Sequence, residues 1–197
     1  QNFLRDPQIL GKIADFADIK NTDTVLEVGP GEGLLTQILL ERAGKVIVVE
    51  KDESLAKKLE EKFDKEISND KLRITTGDIL EIAKLEIENY VLVGNIPYYI
   101  TGALFKKFLE NPPGGVQPKS ITFVIQKEVA ERIMARDGKE SILSISVKAY
   151  GEPKYGGLIK AGSFYPKPKV DSAIISVRDI STEKFSPVNP SKPSSLS

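Results

Sequence analysis

TVLEVGPGEGLLTQILLERA, residues 24 to 43, contains the three elements on which the fold prediction rests. The run from Thr24 to Val28 is short and apolar, which predicts a buried strand. Three glycines follow within residues 29–33, and helical periodicity begins at Leu34 and continues to Ala43. The stretch therefore predicts a strand, a glycine loop and a helix in succession.

The same alternation continues on both sides of this unit. Further helices are predicted at 6–19, 52–63, 101–110 and 126–136, and further strands at 45–50, 71–75, 90–94 and 120–125. Residues 141–150 fit either a helix or a strand, and we favour a helix. Strands at 154–160 and 172–178 are expected to form an antiparallel hairpin at the sheet edge. The pattern predicts a doubly wound, Rossmann-like α/β fold with a mostly parallel sheet.

Composition limits the number of domains and the kind of chemistry. A chain of 197 residues that is 40% hydrophobic predicts one well-cored domain, which we assign to residues 1–180. Residues 181–197 are rich in Ser and Pro and predict a linker or a disordered tail. The sequence contains no cysteine and no histidine, so we expect no metal site and no histidine general base.

No apolar run approaches the roughly 20 residues that span a bilayer. We therefore expect a cytoplasmic protein without a membrane partner. We also expect a monomer.

Charge is distributed unevenly along the chain. Residues 1–100 carry 13 basic and 19 acidic side chains, whereas residues 101–170 carry 12 basic and 6 acidic ones. A local surface that faces nucleic acid has this property, and an ordinary solvated surface with uneven charge explains it equally well. The candidate phosphate contacts are Lys127, Arg132, Arg136, Lys167 and Lys169.

The glycine loop occupies the position where α/β sheets bind ligands, beyond the carboxyl end of a strand. Gly29 and Gly31 permit positive φ and a close approach of the backbone to a ligand. Glu50 ends the next strand at the spacing of a carboxylate that accepts hydrogen bonds from ribose hydroxyls. We therefore expect an adenosine-containing cofactor, although a glycine-rich turn without a ligand remains the alternative.

The acidic residues around this loop discriminate between cofactors. Leu34 stands where a dinucleotide-binding loop has its third glycine, and Glu27 and Glu32 would repel a pyrophosphate. S-adenosylmethionine carries a sulfonium and an ammonium, which acidic side chains attract. Asp78 follows the third strand, where a carboxylate could accept a hydrogen bond from the adenine amino group; an Asp after Gly is also common in simple turns.

Seven motifs in order resemble those of the KsgA-type ribosomal RNA adenine N6-dimethyltransferases, which are related to the Erm resistance methyltransferases. The motifs are QNFL (1–4), VLEVGPG (25–31), VEKD (49–52), GDI (77–79), NIPY (95–98), QKEVAER (126–132) and FYPKPKVDS (164–172). The resemblance spans residues 1–177 and implies a methyltransferase fold.

The NIPY tetrapeptide carries the catalytic expectations. An adenine N6 amine is a poor nucleophile, and we expect the side-chain oxygen of Asn95 and the backbone carbonyl of Ile96 to accept hydrogen bonds from it. Pro97 would hold that carbonyl outward. Tyr98 is the expected stacking platform for a flipped adenine, with a core ring as the alternative. The resemblance implies that Phe164 covers the opposite face, and Tyr99 is assigned to packing.

The resemblance also implies the remaining cofactor contacts and the target. Asn2 and Leu4 would contact the cofactor; from local chemistry alone the QNFL segment is a frayed terminus. The QKEVAER motif favours small-subunit ribosomal RNA, or its precursor particle, over the large-subunit target of Erm enzymes. A basic arm before QNFL and a C-terminal helical domain lie outside this sequence, so we expect a catalytic core. Two other functional hypotheses remain: an RNA-binding assembly factor without catalysis, and a nicotinamide oxidoreductase.

Overall fold

The computed structural model describes residues 2–135 and 138–181. Within these residues nine strands are found: β1 (Phe3–Leu4), β2 (Thr24–Val28), β3 (Lys45–Glu50), β4 (Leu72–Thr76), β5 (Tyr90–Asn95), β6 (Ser120–Gln126), β7 (Glu152–Ile159), β8 (Phe164–Tyr165) and β9 (Ser172–Arg178). The helices are α1 (Pro7–Phe16), α2 (Leu34–Arg42), α3 (Glu53–Lys62), α4 (Asp64–Ser68), α5 (Thr101–Glu110), α6 (Lys127–Met134) and α7 (Ile142–Tyr150).

Seven of the strands form one sheet in the order β4-β3-β2-β5-β6-β9-β7. Strands β2 to β6 are parallel to one another, and β9 pairs antiparallel with both β6 and β7. The predicted α/β fold with an antiparallel C-terminal edge pair is confirmed. The helix favoured for residues 141–150 is also confirmed, because α7 begins after Ser141, whose side chain accepts a hydrogen bond from the Ser144 N–H at 3.1 Å.

Both faces of the sheet are buried, as a parallel sheet requires. Successive residues of β2 and β5 contribute to opposite cores, with Leu26 and Leu92 in one hydrophobic cluster and Val25 and Val91 in the other. The short β-branched runs of the sequence are therefore central strands.

The order of the strands fixes where a ligand can lie. After β2 the chain builds β3 and β4 on one side, then returns to place β5 on the other side of β2. The helices that follow β2 and β5 leave the sheet on opposite sides of this point, which opens a crevice at the carboxyl ends of the two strands.

Two parts of the predicted organisation lie outside the described residues. They are the tail from residue 182 onward and the candidate phosphate contact Arg136. No helix in the described ranges has the length and apolar character needed to cross a membrane.

Candidate active site

The glycine loop begins where β2 ends. Gly29 and Gly31 have φ values of 65° and 58°, the left-handed region that glycine adopts without steric cost. The Gly29 N–H donates to the Val49 carbonyl at 2.9 Å, which ties the loop to the end of β3. The loop therefore turns back over the carboxyl edge of the sheet, and Glu50 of β3 lies directly beneath it.

Glu50 is held by two backbone amides. Its Oε2 accepts from the Gly31 N–H and its Oε1 from the Asp52 N–H, each at 3.0 Å, and the residue is only 3% exposed. A carboxylate has about four acceptor positions, so each oxygen retains one for a ligand hydroxyl. Asp52 caps α3 by accepting from the Ser54 and Leu55 N–H groups, which fixes this corner.

Glu27 is the second buried carboxyl of the crevice. It is 2% exposed and accepts a hydrogen bond from the Thr36 hydroxyl at 2.6 Å. The pKa of Glu27 is raised to about 8, chiefly by burial. The hydrogen bond from Thr36 offsets part of this increase, and the nearby Glu50 charge adds to it. The expectation of a charged Glu27 therefore needs correction: without a cationic ligand this group is mostly protonated near pH 7.

Asp78 accepts hydrogen bonds from within the protein. Its Oδ2 pairs with Lys51 Nζ at 2.8 Å and its Oδ1 accepts from the Leu80 N–H at 2.9 Å. These contacts, led by the one with Lys51, hold the pKa of the Asp78 carboxyl below its usual value. Lys51 is 74% exposed. An adenine amino group at Asp78 would therefore share the carboxylate with an exposed lysine.

Phe3 and Leu4 of the QNFL segment form a strand rather than a frayed terminus. β1 pairs antiparallel with β8, with Phe3 opposite Tyr165 and Leu4 opposite Phe164. Arg5 extends this attachment, because its guanidinium makes two hydrogen bonds to Glu32 in the glycine loop, at 2.6 and 3.0 Å. The N-terminal segment thus spans from the cofactor loop to the FYPKPK loop.

A cavity beside the glycine loop is lined by acidic and apolar side chains. Its walls are Phe3, Leu4, Leu10, Glu27, Gly29, Pro30, Glu32, Leu34, Leu35 and Asn95. The predicted cofactor residue Leu4 belongs to it through a buried side chain. Two glutamates and no basic residue line this cavity. Glu32 is paired with Arg5 and Glu27 is mostly protonated without a ligand, so a cationic group that favours the ionised form of Glu27 suits the cavity better than a pyrophosphate.

Asn95, the last residue of β5, has a defined orientation. Its Nδ2 donates to the Asn2 carbonyl at 3.0 Å. A carbonyl can only accept, so the contact identifies the amide nitrogen and turns Oδ1 the other way. No described residue donates to that oxygen. Asn95 lines both the acidic cavity and a neighbouring cavity formed with Asn2, Ile96, Pro97, Tyr98, Tyr99 and Phe164.

Ile96 and Pro97, the next two residues of the NIPY motif, determine the path of the backbone after β5. The Ile96 side chain is buried in the core and its N–H donates to the Val124 carbonyl at 3.0 Å, so its own carbonyl is the part suited to bind a ligand. Pro97 has φ −57° and ψ 135°. This extended conformation separates β5 from the 3-10 turn of Tyr98–Ile100. Both residues line the second cavity.

Tyr98 and Phe164 lie in the walls of the second cavity. Tyr98 is half-buried and its hydroxyl shares a hydrogen bond with the fully buried Ser172 hydroxyl at 3.2 Å. Phe164 is buried where β8 meets β1. The hydroxyl of Tyr98 is satisfied, as in the alternative of a core ring, but the ring is only half-buried, and its role as a stacking platform stays a prediction.

Asp171 anchors the loop that carries Phe164. Its carboxylate accepts from the Ala161 N–H at 2.9 Å and from Lys160 Nζ at 3.0 Å, and these two contacts lower the pKa of Asp171. Its carbonyl accepts from the Lys127 N–H at the start of α6. Asp171 and Ser172 are the last two residues of the FYPKPKVDS motif, and sequence reasoning missed both as supporting residues of the site.

Tyr99 does not pack, contrary to the prediction. Its side chain is 87% exposed, because the 3-10 turn directs successive residues to different sides and Tyr98 takes the side facing Ser172. The ring stands at the rim of the second cavity.

The candidate phosphate contacts differ in their surroundings. Lys127 and Arg132 form ion pairs along α6, with Glu131 at 3.7 Å and Glu128 at 3.1 Å. Lys167 and Lys169 are exposed in the loop that follows Phe164 and form no ion pair with any described residue. The two loop lysines are therefore the better placed pair for an external anion.

Comparison with known proteins gives concordant matches. The family model described as ribosomal RNA adenine dimethylase matches residues 1–189. A protein of Dehalococcoides mccartyi named ribosomal RNA small subunit methyltransferase A is 46% identical over 181 residues, which are 90% of this chain and 60% of that protein. A protein of the same name from Fusobacterium nucleatum is 38% identical, with 94% of this chain and 69% of that protein covered. The chain thus spans about 60% of the Dehalococcoides relative.

Two solved structures with substantial identity share the fold. A dimethyladenosine transferase from Plasmodium falciparum is 34% identical with a TM-score of 0.82, covering 93% of this chain and 65% of that one. The 23S rRNA methyltransferase ErmE is 36% identical with a TM-score of 0.80, covering 90% of this chain and 69% of that one.

Proposed function

The chain belongs to the ribosomal RNA adenine dimethylase family, and we propose that it dimethylates the N6 amines of adenines in small-subunit ribosomal RNA with S-adenosylmethionine as methyl donor. The observation that carries the proposal is the position of Asn95, which lines both cavities and whose amide nitrogen is held by the Asn2 carbonyl. Its free oxygen is an acceptor at the junction of a cofactor site and a base site.

The residues in and around the glycine loop fit the proposed cofactor. Glu50 retains acceptor capacity for ribose hydroxyls, Asp78 is the acceptor proposed for the adenine amine, and Glu27 and Glu32 suit the cationic methionine end. Gly29 and Gly31 bring backbone close to the ligand. Leu4 and Asn2 complete the proposed contacts from the N-terminal segment. S-adenosylmethionine, when bound, supplies an electrophilic methyl group.

The protein's part in catalysis is to bind and orient the amine. The Asn95 side-chain oxygen and the Ile96 carbonyl accept hydrogen bonds from the two N–H bonds of the adenine N6 group. These contacts favour a pyramidal nitrogen whose lone pair is free to attack, and they act by orientation and electrostatics. Pro97 keeps the Ile96 carbonyl available because a proline disfavours the helical conformation of the residue that precedes it.

Tyr98 and Phe164 hold the flipped base. An adenine within a stacked strand cannot reach a buried amine site, so it must leave the stack. The Ser172 hydroxyl fixes the Tyr98 ring, and Asp171 fixes the loop that carries Phe164. Methyl transfer makes the amine cationic, and its proton then passes to water without a histidine base, which this chain lacks.

The RNA target follows from the curated relatives. Those with 36% to 46% identity are named for the small subunit, and the QKEVAER motif agrees with them. The ErmE structure supports a second candidate, methylation of large-subunit RNA, since its identity of 36% is similar to that of the Plasmodium falciparum enzyme. We favour the small subunit and expect a monomer that acts in the cytoplasm.

A methyl-transfer assay tests this proposal. The purified chain is incubated with isotopically labelled S-adenosylmethionine and small-subunit particles that lack the modification, with large-subunit particles in parallel, and the product is mapped by mass spectrometry. Dimethyladenosine in small-subunit RNA is expected. Label in large-subunit RNA would favour the Erm-type activity. RNA binding without transfer would favour an assembly factor, and calorimetric binding of NADH instead of S-adenosylmethionine would overturn the cofactor assignment.

A further inference from the structure

We propose that Tyr99 stacks on the base next to the target adenine, so that the enzyme recognises an adenine in an unpaired stretch of RNA. This inference rests on the proposed function and extends it, because it identifies a contact beyond the flipped base. Tyr99 is absent from the proposed catalytic machinery.

The exposure of Tyr99 is the first observation. Tyr98 and Tyr99 are adjacent, yet Tyr98 is half-buried and bonded to Ser172 whereas the Tyr99 ring is almost entirely solvated. Tyrosine rings bury substantial area when they find a partner. An aromatic ring that is held out on a short 3-10 turn between a strand and a helix offers a free face for stacking.

The location of Tyr99 is the second observation. Tyr99 lines the same cavity as Asn95, Tyr98 and Phe164, at its rim. A base that is bound between Tyr98 and Phe164 leaves its neighbours in the strand at the mouth of this cavity. Once the target base has left the stack, an adjacent base has one face uncovered, and the Tyr99 ring is the exposed aromatic group of this cavity that can cover it.

The charge around the rim suits an RNA strand. Lys51 lies near Tyr99 and is highly exposed, with its ammonium paired to Asp78 at 2.8 Å. Lys167 and Lys169 follow Phe164, which lines the same cavity, and are exposed without ion pairs to described residues. A single-stranded nucleic acid site combines a stacking aromatic with nearby cations in this way.

The cofactor adenine is the competing occupant. Tyr99 does not line the cavity that contains Glu27 and Gly29, nor the one beside it with Gly31 and Leu55. The place of Tyr99 in the cavity of Asn95 and Tyr98 favours RNA. Because Lys51 near Tyr99 pairs with Asp78, the proposed adenine acceptor, cofactor affinity serves as the discriminating measurement.

Fluorescence and kinetics together test the inference. The probe is a short single-stranded RNA with one adenosine, with 2-aminopurine next to it and a terminal dye whose anisotropy reports binding. With S-adenosylhomocysteine present, the wild-type chain should quench 2-aminopurine, Tyr99→Phe should retain the quenching, and Tyr99→Leu should lose it. On small-subunit particles, Tyr99→Leu should lower kcat/KM by about 5- to 150-fold, the range of one base–aromatic stack. Tyr99→Phe should stay within about twofold, because it keeps the ring.

Each result bears on one proposal. Bound RNA that is not quenched by the wild-type chain, or a Tyr99→Phe variant as impaired as Tyr99→Leu, would overturn the stacking role. A Tyr99→Leu variant that loses affinity for S-adenosylhomocysteine and keeps the quenching would assign Tyr99 to the cofactor. Quenching in a protein that transfers no methyl group would leave the stacking role intact and overturn the proposed activity. Circular dichroism checks that each variant is folded. Because the Tyr99 ring is so exposed, its substitution is expected to change stability little.

Discussion

The carboxyl ends of β2 and β5 lie side by side in the sheet, yet they are organised differently. The end of β2 is built from backbone turns and buried carboxyls, and its contacts join residues close in sequence, such as Gly31 with Glu50. The end of β5 is built from side chains that are held by distant segments. Asn2 binds Asn95 across 93 residues and Ser172 binds Tyr98 across 74.

This difference separates two tasks. In the proposed mechanism the β2 end binds a ligand of constant structure, and a local strand–loop–helix unit is sufficient to form it. The β5 end is proposed to hold one reactive amine in one orientation, and its side chains are fixed by contacts with segments at β1, β8 and β9. Variants at the two ends should therefore impair different steps.

The largest effect is expected at the β5 end, from Asn95→Ala. The variant loses the acceptor for the adenine amine and the hydrogen bond to the Asn2 carbonyl, so kcat at saturating cofactor should fall by about 10²–10³-fold, as when one preorganised polar group is removed from an active site. Single-turnover methyl transfer measures this, and RNA binding should be retained. Asn69→Ala, at an exposed asparagine that follows the C-terminus of α4, is the matched control. A kcat within threefold of wild type would refute the role of Asn95.

Glu50→Gln should impair the β2 end alone. Glutamine has one acceptor oxygen in place of two, so it cannot accept from Gly31 and Asp52 and also from both ribose hydroxyls, and a charge-assisted hydrogen bond to the ligand worth about 1.5–3 kcal/mol is lost. Calorimetry with S-adenosylhomocysteine should show an affinity lower by about 10- to 100-fold, while kcat at saturating cofactor changes little. Glu53→Gln, exposed on α3, is the control. If kcat of Glu50→Gln fell as steeply as its affinity for S-adenosylhomocysteine, the β2 and β5 ends would not act on separate steps.

Sequence patterns predicted the β2 end because the relevant information is local. The apolar run, the three glycines and the carboxylate at the end of the next strand each constrain a neighbouring contact, and strand–helix alternation supplied the sheet. The same patterns missed α4, which at five residues is too short for helical periodicity. They also missed β1 and β8, which are two residues each.

The β5 end was predicted through resemblance. Nothing in the local chemistry of QNFL or of Ser172 indicates a partner in the NIPY motif, because those contacts exist only after the chain has folded. The assignment of Tyr99 to packing failed for the same reason. Which face of a short turn meets the core depends on tertiary contacts rather than on the run of residues.

Glu27 gives a smaller, pH-dependent effect at the β2 end. Its carboxyl has a pKa of about 8 without ligand, so it is mostly neutral below that pH, and a sulfonium binds more strongly once it ionises. The ratio of S-adenosylmethionine to S-adenosylhomocysteine affinity should rise from pH 6 toward pH 8, by at most about tenfold per unit. Using the ratio cancels titration of the ammonium common to both ligands. Glu27→Gln should make the ratio flat, and Glu32→Gln should leave its slope unchanged. A wild-type ratio that does not vary with pH would contradict the link to Glu27.

The smallest effect tests how β9 supports the β5 end. Ser172→Ala removes the hydroxyl that fixes Tyr98 and leaves the ring, so kcat/KM for RNA should fall by only about 2- to 10-fold, the worth of one neutral hydrogen bond. Tyr98→Phe removes the other partner of the same bond and should cost as much. The double variant should be no worse than either single one, because residues that act through one contact are not additive. Additive losses would mean that Ser172 and the Tyr98 hydroxyl act independently, and the ring would then owe its position to packing alone.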